Sequence, residues 1–313
     1  MIPRLTGVFA ALITPVDERG RIDYETFAQL INFVLDRGVD GVCVGGATSE
    51  YPCFDLPERK ELISRAAAIV AQRTRLIAAI GAPTFPKTLE LGECALQAGS
   101  DFLLVAMPYF YKYNDEDLDV FTRELTRSLQ APCLLYHLPG FTNSLAVETS
   151  IALLSDGAAA GIKDSSGSSS SQKRLTEAHQ ELGFTLLNGA DELLLSGLKS
   201  GWDGAISGTA NLFPELLVNL YQSASAGDWD RAGLYQHRLN ALISRMAGLP
   251  FPWAIRVGMQ VRRISTGPLP LPLSASRQSE AADLLLWLED RLEEFTLPDR
   301  GSDYSRPSRD SLA

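Results

Sequence analysis

AAAGIKDSSG, residues 158–167, carries a run of small apolar side chains up to a single lysine, Lys163, and then turns into serine-rich polar chain. A lysine at the edge of such a run has two readings. It ends a strand and lifts its amine into water, or it is buried so that the ammonium form is disfavoured and a neutral amine can attack a carbonyl. The segment alone admits both. The same pattern recurs along the chain: GVFAALI (7–13), VCVGG (42–46), RLIAAIGA (75–82), FLLVAM (102–107), CLLYHL (133–138), FTLLNG (184–189) and GAISGT (204–209). With AAAGIK (158–163) there are eight such runs. Stretches of helical period lie between them, among them 24–38, 55–72 and 118–130. In the first, Phe27, Leu30, Ile31, Val34 and Leu35 share a face and Gly38 is placed to end the helix. Eight runs alternating with helices predict a parallel (β/α)8 TIM barrel, and their unbroken apolarity suits strands buried on both faces. An open doubly wound sheet would show a glycine-rich turn after the first strand, and ITPVDERG is not one.

After residue 226 the strand pattern stops. DWDRAGLYQHRLNALISRMAG (228–248) and SEAADLLLWLEDRLEEF (279–295) have helical period, and proline-rich GPLPLPL (267–273) precedes the second. We therefore expect a barrel over 1–226, a C-terminal helical extension over 227–296 and a polar, flexible tail over 297–313.

With 45% apolar and 21% charged residues the chain has the composition of a globular protein with a sizeable core. A net charge of −10 argues against nucleic acid or an anionic membrane as partner, though not against a small anionic substrate. No apolar stretch is long enough to span a bilayer, and the N-terminal run contains Pro15 and lacks a signal-peptide pattern. The four cysteines, Cys43, Cys53, Cys94 and Cys133, are too scattered for a disulfide framework, and Cys43 and Cys133 sit in strand-like runs. These features suggest a reduced, cytoplasmic protein. No spacing suggests a metal site and none suggests a bound cofactor.

In a barrel the chemistry gathers at the C-terminal ends of the strands. Here those ends are GGATSE (45–50), MPYFY (107–111), YHLPGF (136–141), Lys163, NGADE (188–192) and SGT (207–209). Together they offer an amine, phenols, hydroxyls and glycine-rich backbone able to present N–H groups to an anion.

In order and spacing these segments, from GVFAALITP through GGATSE, LLYHLP, GIKDSSG and GAISGTAN, resemble the dihydrodipicolinate synthase/N-acetylneuraminate lyase superfamily of class I, Schiff-base aldolases. The resemblance implies a TIM barrel with a C-terminal helical cap, assembled as a homotetramer from tight dimers. It implies that Lys163 forms a Schiff base with a pyruvate-type 2-oxo acid, which is cleaved from or condensed with an aldehyde. Tyr136 would shuttle the proton of the reacting oxygen. Thr48 and the backbone of Ala47–Ser49 would hold the substrate carboxylate, and Ile206 would wall the Schiff base. The rival reading of Tyr136 is a barrel-layer aromatic with a satisfied hydroxyl.

The chain departs from the synthase pattern at three positions. Ala47 stands where the synthases have the first of two threonines, Phe110 where they have a second tyrosine, and Phe141 where they have an arginine. A phenyl ring neither relays a proton nor pairs with a carboxylate. The expectation is therefore a lyase or aldolase other than the lysine-pathway synthase. Asp191 and Glu192 match an acidic pair with which sialic-acid lyases bind substrate hydroxyls, which points to a 2-keto-3-deoxy sugar acid; equally, ADELLL is a good helix start. Phe110 and Phe141 could instead line an apolar pocket for an aromatic aldehyde. The alternatives are a sugar-acid dehydratase using the same lysine, and a relative that binds 2-oxo acids without catalysis. By strand alternation His137 faces away from Tyr136, His179 and His237 are surface or packing residues, Asp55 caps the second helix, and the serines of 165–171 form a loop and helix cap.

Overall fold

Both faces of the sheet are covered, which is why its strands appear in the sequence as apolar runs rather than as alternations. The computed structural model describes residues 4–297. The eight runs become β1 (Gly7–Ala11), β2 (Gly41–Val44), β3 (Arg75–Ala79), β4 (Phe102–Ala106), β5 (Cys133–His137), β6 (Gly161–Asp164), β7 (Thr185–Asn188) and β8 (Gly204–Ser207). They pair in parallel in chain order, and β8 returns to β1 to close the barrel. Alternate residues part to opposite sides. Phe9, Cys43, Ile77, Leu104, Leu134, Tyr136, Leu187 and Ile206 fill the interior, while Val8, Val42, Leu103, Leu135, Ile162 and Leu186 pack outward under the helices.

The covering helices are α1 (Tyr24–Leu35), α2 (Leu56–Val70), α3 (Phe85–Ala98), α4 (Asp115–Leu129), α5 (Val147–Ser155), α6 (Ser169–Leu182), α7 (Leu194–Lys199) and α8 (Pro214–Ser225). Phe27, Leu30, Ile31 and Val34 are the buried face of α1; the helix stops at Leu35, and Gly38 takes φ +84° in the turn beyond. Asp55 caps α2 in a reciprocal capping box with Glu58, and Ser168 caps α6 by accepting from the Ser171 amide. The sixth strand starts at Gly161, later than its apolar run. The amides of Ala158 and Ala159 both bond back to Leu153 O at the end of α5, which holds those residues in the turn.

Among the described residues four further α-helices follow: α9 (Trp229–Met246), α10 (Trp253–Gly258), α11 (Ala275–Asp290) and α12 (Leu292–Thr296). The single helix expected over 279–295 begins earlier, behind a Ser274 cap, and breaks at Arg291. The break turns Phe295 inward onto Phe213 and Trp287, with ring centroids 4.8 and 5.6 Å apart. Beyond Leu297 the tail expected from the sequence lies outside the described residues. Among those described, no helix is long and apolar enough to cross a membrane.

Candidate active site

Parallel pairing of β5 with β6 sets Tyr136 beside Lys163 in register, both on the inward side. The Lys163 amine donates to the Tyr136 hydroxyl at 3.2 Å and lies 4.3 Å from the centre of its ring. Both side chains are buried, at 4% and 5% exposure. Gly189, just past β7, makes the space: a Cβ there would lie 2.6 Å from Lys163 Cε and 1.9 Å from Ser165 Oγ. Cys43, on the interior side of β2, has its thiol pushed up to about 11 by burial, so it stays neutral and offers Lys163 no counter-charge.

A cavity of about 450 Å³ opens above the amine. Thr48, Tyr136, Lys163, Ile206, Asp191, Glu192 and Phe141 all line it. Two buried polar atoms within it have no protein partner, Asp191 Oδ1 and Ser165 Oγ. Asp191 Oδ2 accepts from Ser207 Oγ at 2.7 Å. Burial pushes the Asp191 carboxyl up, opposed by the hydroxyls of Ser207 and Thr209. Glu192, beside it, is exposed at the rim.

Two of the expected residues, Phe110 and Ser49, are placed differently. Phe110 is 87% exposed, with φ +80° and its ring edge-on to Tyr111 at 5.1 Å, outside the cavity. The loop after β4 swings this ring outward, so it walls nothing within the chain. Ser49 faces away as well: its hydroxyl donates to Leu12 O at 2.6 Å and accepts from Gly45 N, and its amide donates to Gly46 O. That pins the loop to β1 and leaves the Ser49 amide no capacity for a substrate carboxylate. Ala47 lies in the same short turn, Ala47–Ser49, but its side chain does not line the cavity. The first N–H groups of such a turn have no partner within it, so the amides of Ala47 and Thr48, with the Thr48 hydroxyl, are the donors that remain.

The C-terminal helices hold this end of the barrel together. Glu50, at φ +55° directly after the Thr48 turn, is clamped by Arg256 Nη1 at 2.7 Å and Trp253 Nε1 at 3.0 Å, both from α10. Arg256 and Glu50 are buried, and Arg256 Nη2 donates to Thr266 O and Pro268 O. From α9, Gln236 donates to Asp191 O and accepts from Leu195 N, gripping the loop after β7. Sequence reading missed these contacts and also Ser165 and Phe251, which line the cavity. For Ser165 a signal existed: two residues past Lys163, it falls on the same side by strand alternation.

This arrangement can be compared with known proteins. The profile described as the Dihydrodipicolinate synthetase family matches residues 4–288. The chain belongs to that family. The members of the dihydrodipicolinate synthetase family are carbon–carbon lyases. The chain is 31% identical over 287 residues to an uncharacterised DapA-like lyase of Halobacterium salinarum, covering 91% of this chain and 94% of that protein. It is 31% identical over 273 residues to a 4-hydroxy-tetrahydrodipicolinate synthase of Bartonella bacilliformis, covering 86% and 92%. Among solved structures, YagE of E. coli K12, a family member crystallised with pyruvate, superposes with a TM-score of 0.85 at 29% identity, over 91% of this chain and 98% of that one. Within the family the fold expected from the sequence is the fold observed; the individual reaction differs from relative to relative in their names.

Proposed function

We propose that this protein is a Schiff-base lyase or aldolase that joins a pyruvate-type 2-oxo acid to an aldehyde, or cleaves the product. The observation that carries this reading is the buried Lys163–Tyr136 pair, 3.2 Å apart at the floor of an open cavity. In the cleavage direction the Lys163 amine attacks the C2 carbonyl and loses water to give an iminium. The C3–C4 bond then breaks, its electron pair passing to the iminium as the 4-hydroxyl proton leaves through Tyr136, and the aldehyde departs. The enamine takes up a proton at C3, and water releases pyruvate and the free amine. Thr48 and the amides of Ala47 and Thr48 are suited to the carboxylate, and Ile206 packs beside the new bond.

A reaction whose second substrate carries its own carboxylate finds little support. The cavity's mouth presents the Phe141 ring where the resemblance calls for a guanidinium, and Ala47 has no hydroxyl. Asp191 Oδ1, buried without a partner, favours a substrate hydroxyl near the lysine and so keeps hydroxylated 2-oxo acids in view. The free cysteines fit a cytoplasmic setting, and the exposed Phe110–Tyr111 pair fits association of the chain into a homotetramer. Incubation with pyruvate and a panel of aldehydes, with product analysis by mass, tests the reading. Carbon–carbon products are expected from the wild type, and full turnover by Lys163→Ala would sink it.

A further inference from the structure

We propose that the group beyond C4 of the substrate is apolar, an aryl or alkyl chain, and that the C-terminal helices select it, chiefly through Phe251. The inference rests on the Schiff-base reading at Lys163. The cavity is divided along its length. Its polar side chains, Lys163, Tyr136, Thr48, Asp191 and Thr209 among them, all come from barrel strands and the loops that follow them. Every residue that the stretch 243–255 contributes to the cavity is apolar, and Ile243, Met246, Leu249 and Phe251 are among them. Met246 and Leu249 are buried, whereas Phe251 is 51% exposed at the mouth. Its ring centre lies 6.1 Å from that of Phe141, tilted by 52°, so a barrel loop and the extension together form an aromatic rim.

A three-carbon oxo acid fills only part of about 450 Å³. Along 243–255, what occupies the remainder meets side chains that can neither donate nor accept. Hydroxyls along that wall would be buried unpaired, at a cost, while methylene or ring carbon would gain by leaving water. The two unpartnered atoms, Asp191 Oδ1 and Ser165 Oγ, lie at the lysine end and suit one hydroxyl, the one at C4. A 4-hydroxy-2-oxo acid with an apolar C4 substituent satisfies both halves. Its cleavage balances without a further reactant: R–CH(OH)–CH2–CO–COO⁻ gives R–CHO and pyruvate, with the hydroxyl proton ending on C3.

The test measures initial rates of condensation of pyruvate with benzaldehyde, hexanal and glyceraldehyde, for wild type, Phe251→Ala and Phe141→Ala. Both rings are half or more exposed, and thermal melts check that the variants fold. Benzaldehyde or hexanal is expected to exceed glyceraldehyde in kcat/KM by about tenfold or more, and Phe251→Ala to shrink that preference by about tenfold, mainly through KM for the aldehyde. A preference for glyceraldehyde, or a preference that neither variant alters, would overturn the inference. Borohydride trapping of pyruvate in the same samples separates the two levels. An adduct on Lys163 with the wrong aldehyde preference rejects only the apolar subsite; no adduct rejects the Schiff-base reading and this inference with it.

Discussion

The two ends of the barrel each carry a cavity, and the larger one is not at the lysine. At the N-terminal end of the strands a groove of about 740 Å³ is lined by Asp40, Arg75 and Asp101 with the last turns of α2 and α3. Its charges are already answered. Arg75 Nη1 meets Asp101 Oδ1 at 2.7 Å, Asp101 Oδ2 accepts from Leu76 N, and Asp40 Oδ2 accepts from Val8 N. At the C-terminal end the smaller cavity holds a buried amine hydrogen-bonded to a phenol and two buried oxygens with no protein partner. The difference teaches that volume is a poor guide to a site. Buried polar atoms without a partner occur elsewhere in the chain too, Ser100 Oγ and Glu215 Oε2 among them, so the better guide is their convergence with a buried amine and phenol in one open cavity.

That contrast can be broken or sharpened by substitution. The largest effect is expected at the reacting pair. Tyr136→Phe keeps the ring and removes only the hydroxyl, so kcat should fall about 10²–10⁴-fold while the melting temperature moves little. Comparable retention of kcat would place Tyr136 among packing aromatics.

Next comes the clamp that ties α10 to the turn bearing Thr48. Arg256→Met leaves Glu50 buried without its cation, which should cost about 3–5 kcal/mol of stability. Because Glu50 follows the Thr48 turn directly, KM for pyruvate should also rise. Denaturant unfolding and steady-state kinetics read the two effects separately, and an unchanged KM would confine Arg256 to a structural role.

Asp191 provides a pH-dependent test. Its carboxyl is raised by burial, so between the unfolded value near 3.8 and the higher folded value the native state holds more protons than the unfolded state. Stability is therefore lost as pH rises through that window. Asp191→Asn removes the titration, so it should be more stable than wild type at pH 7.5, with the gap closing as pH falls toward 4. Thermal melts at pH 4 and 7.5 decide, and a constant gap would contradict the sign. The smallest effect is expected at the other end of the barrel. Arg75→Met breaks a half-exposed pair worth about 0–1 kcal/mol and should leave kcat unaltered.

Most of the barrel was legible because each strand needs apolar residues on both faces, and the runs stand out against polar helices. Strand ends were less so. Ala158 and Ala159 look like strand, yet their amides are taken by the end of α5. Lys163 and Tyr136 were legible through strand position and resemblance together. The clamp was not. Six-residue α10, set among Pro250 and Pro252, has no period to detect, and its Arg256 meets Glu50 only through a contact 206 residues apart. Phe110 misled for a similar reason: position in a loop after β4 does not say whether a ring turns into the cavity or out of it.

The central claim is that Lys163 forms a Schiff base with a 2-oxo acid. Wild type and Lys163→Ala are incubated with pyruvate, reduced with borohydride and measured by intact mass, with peptide mapping to locate the adduct. The account predicts one reduced pyruvate on wild type, located at Lys163, and none on the variant. An adduct of equal yield on Lys163→Ala, or on another lysine of the wild type, would contradict it.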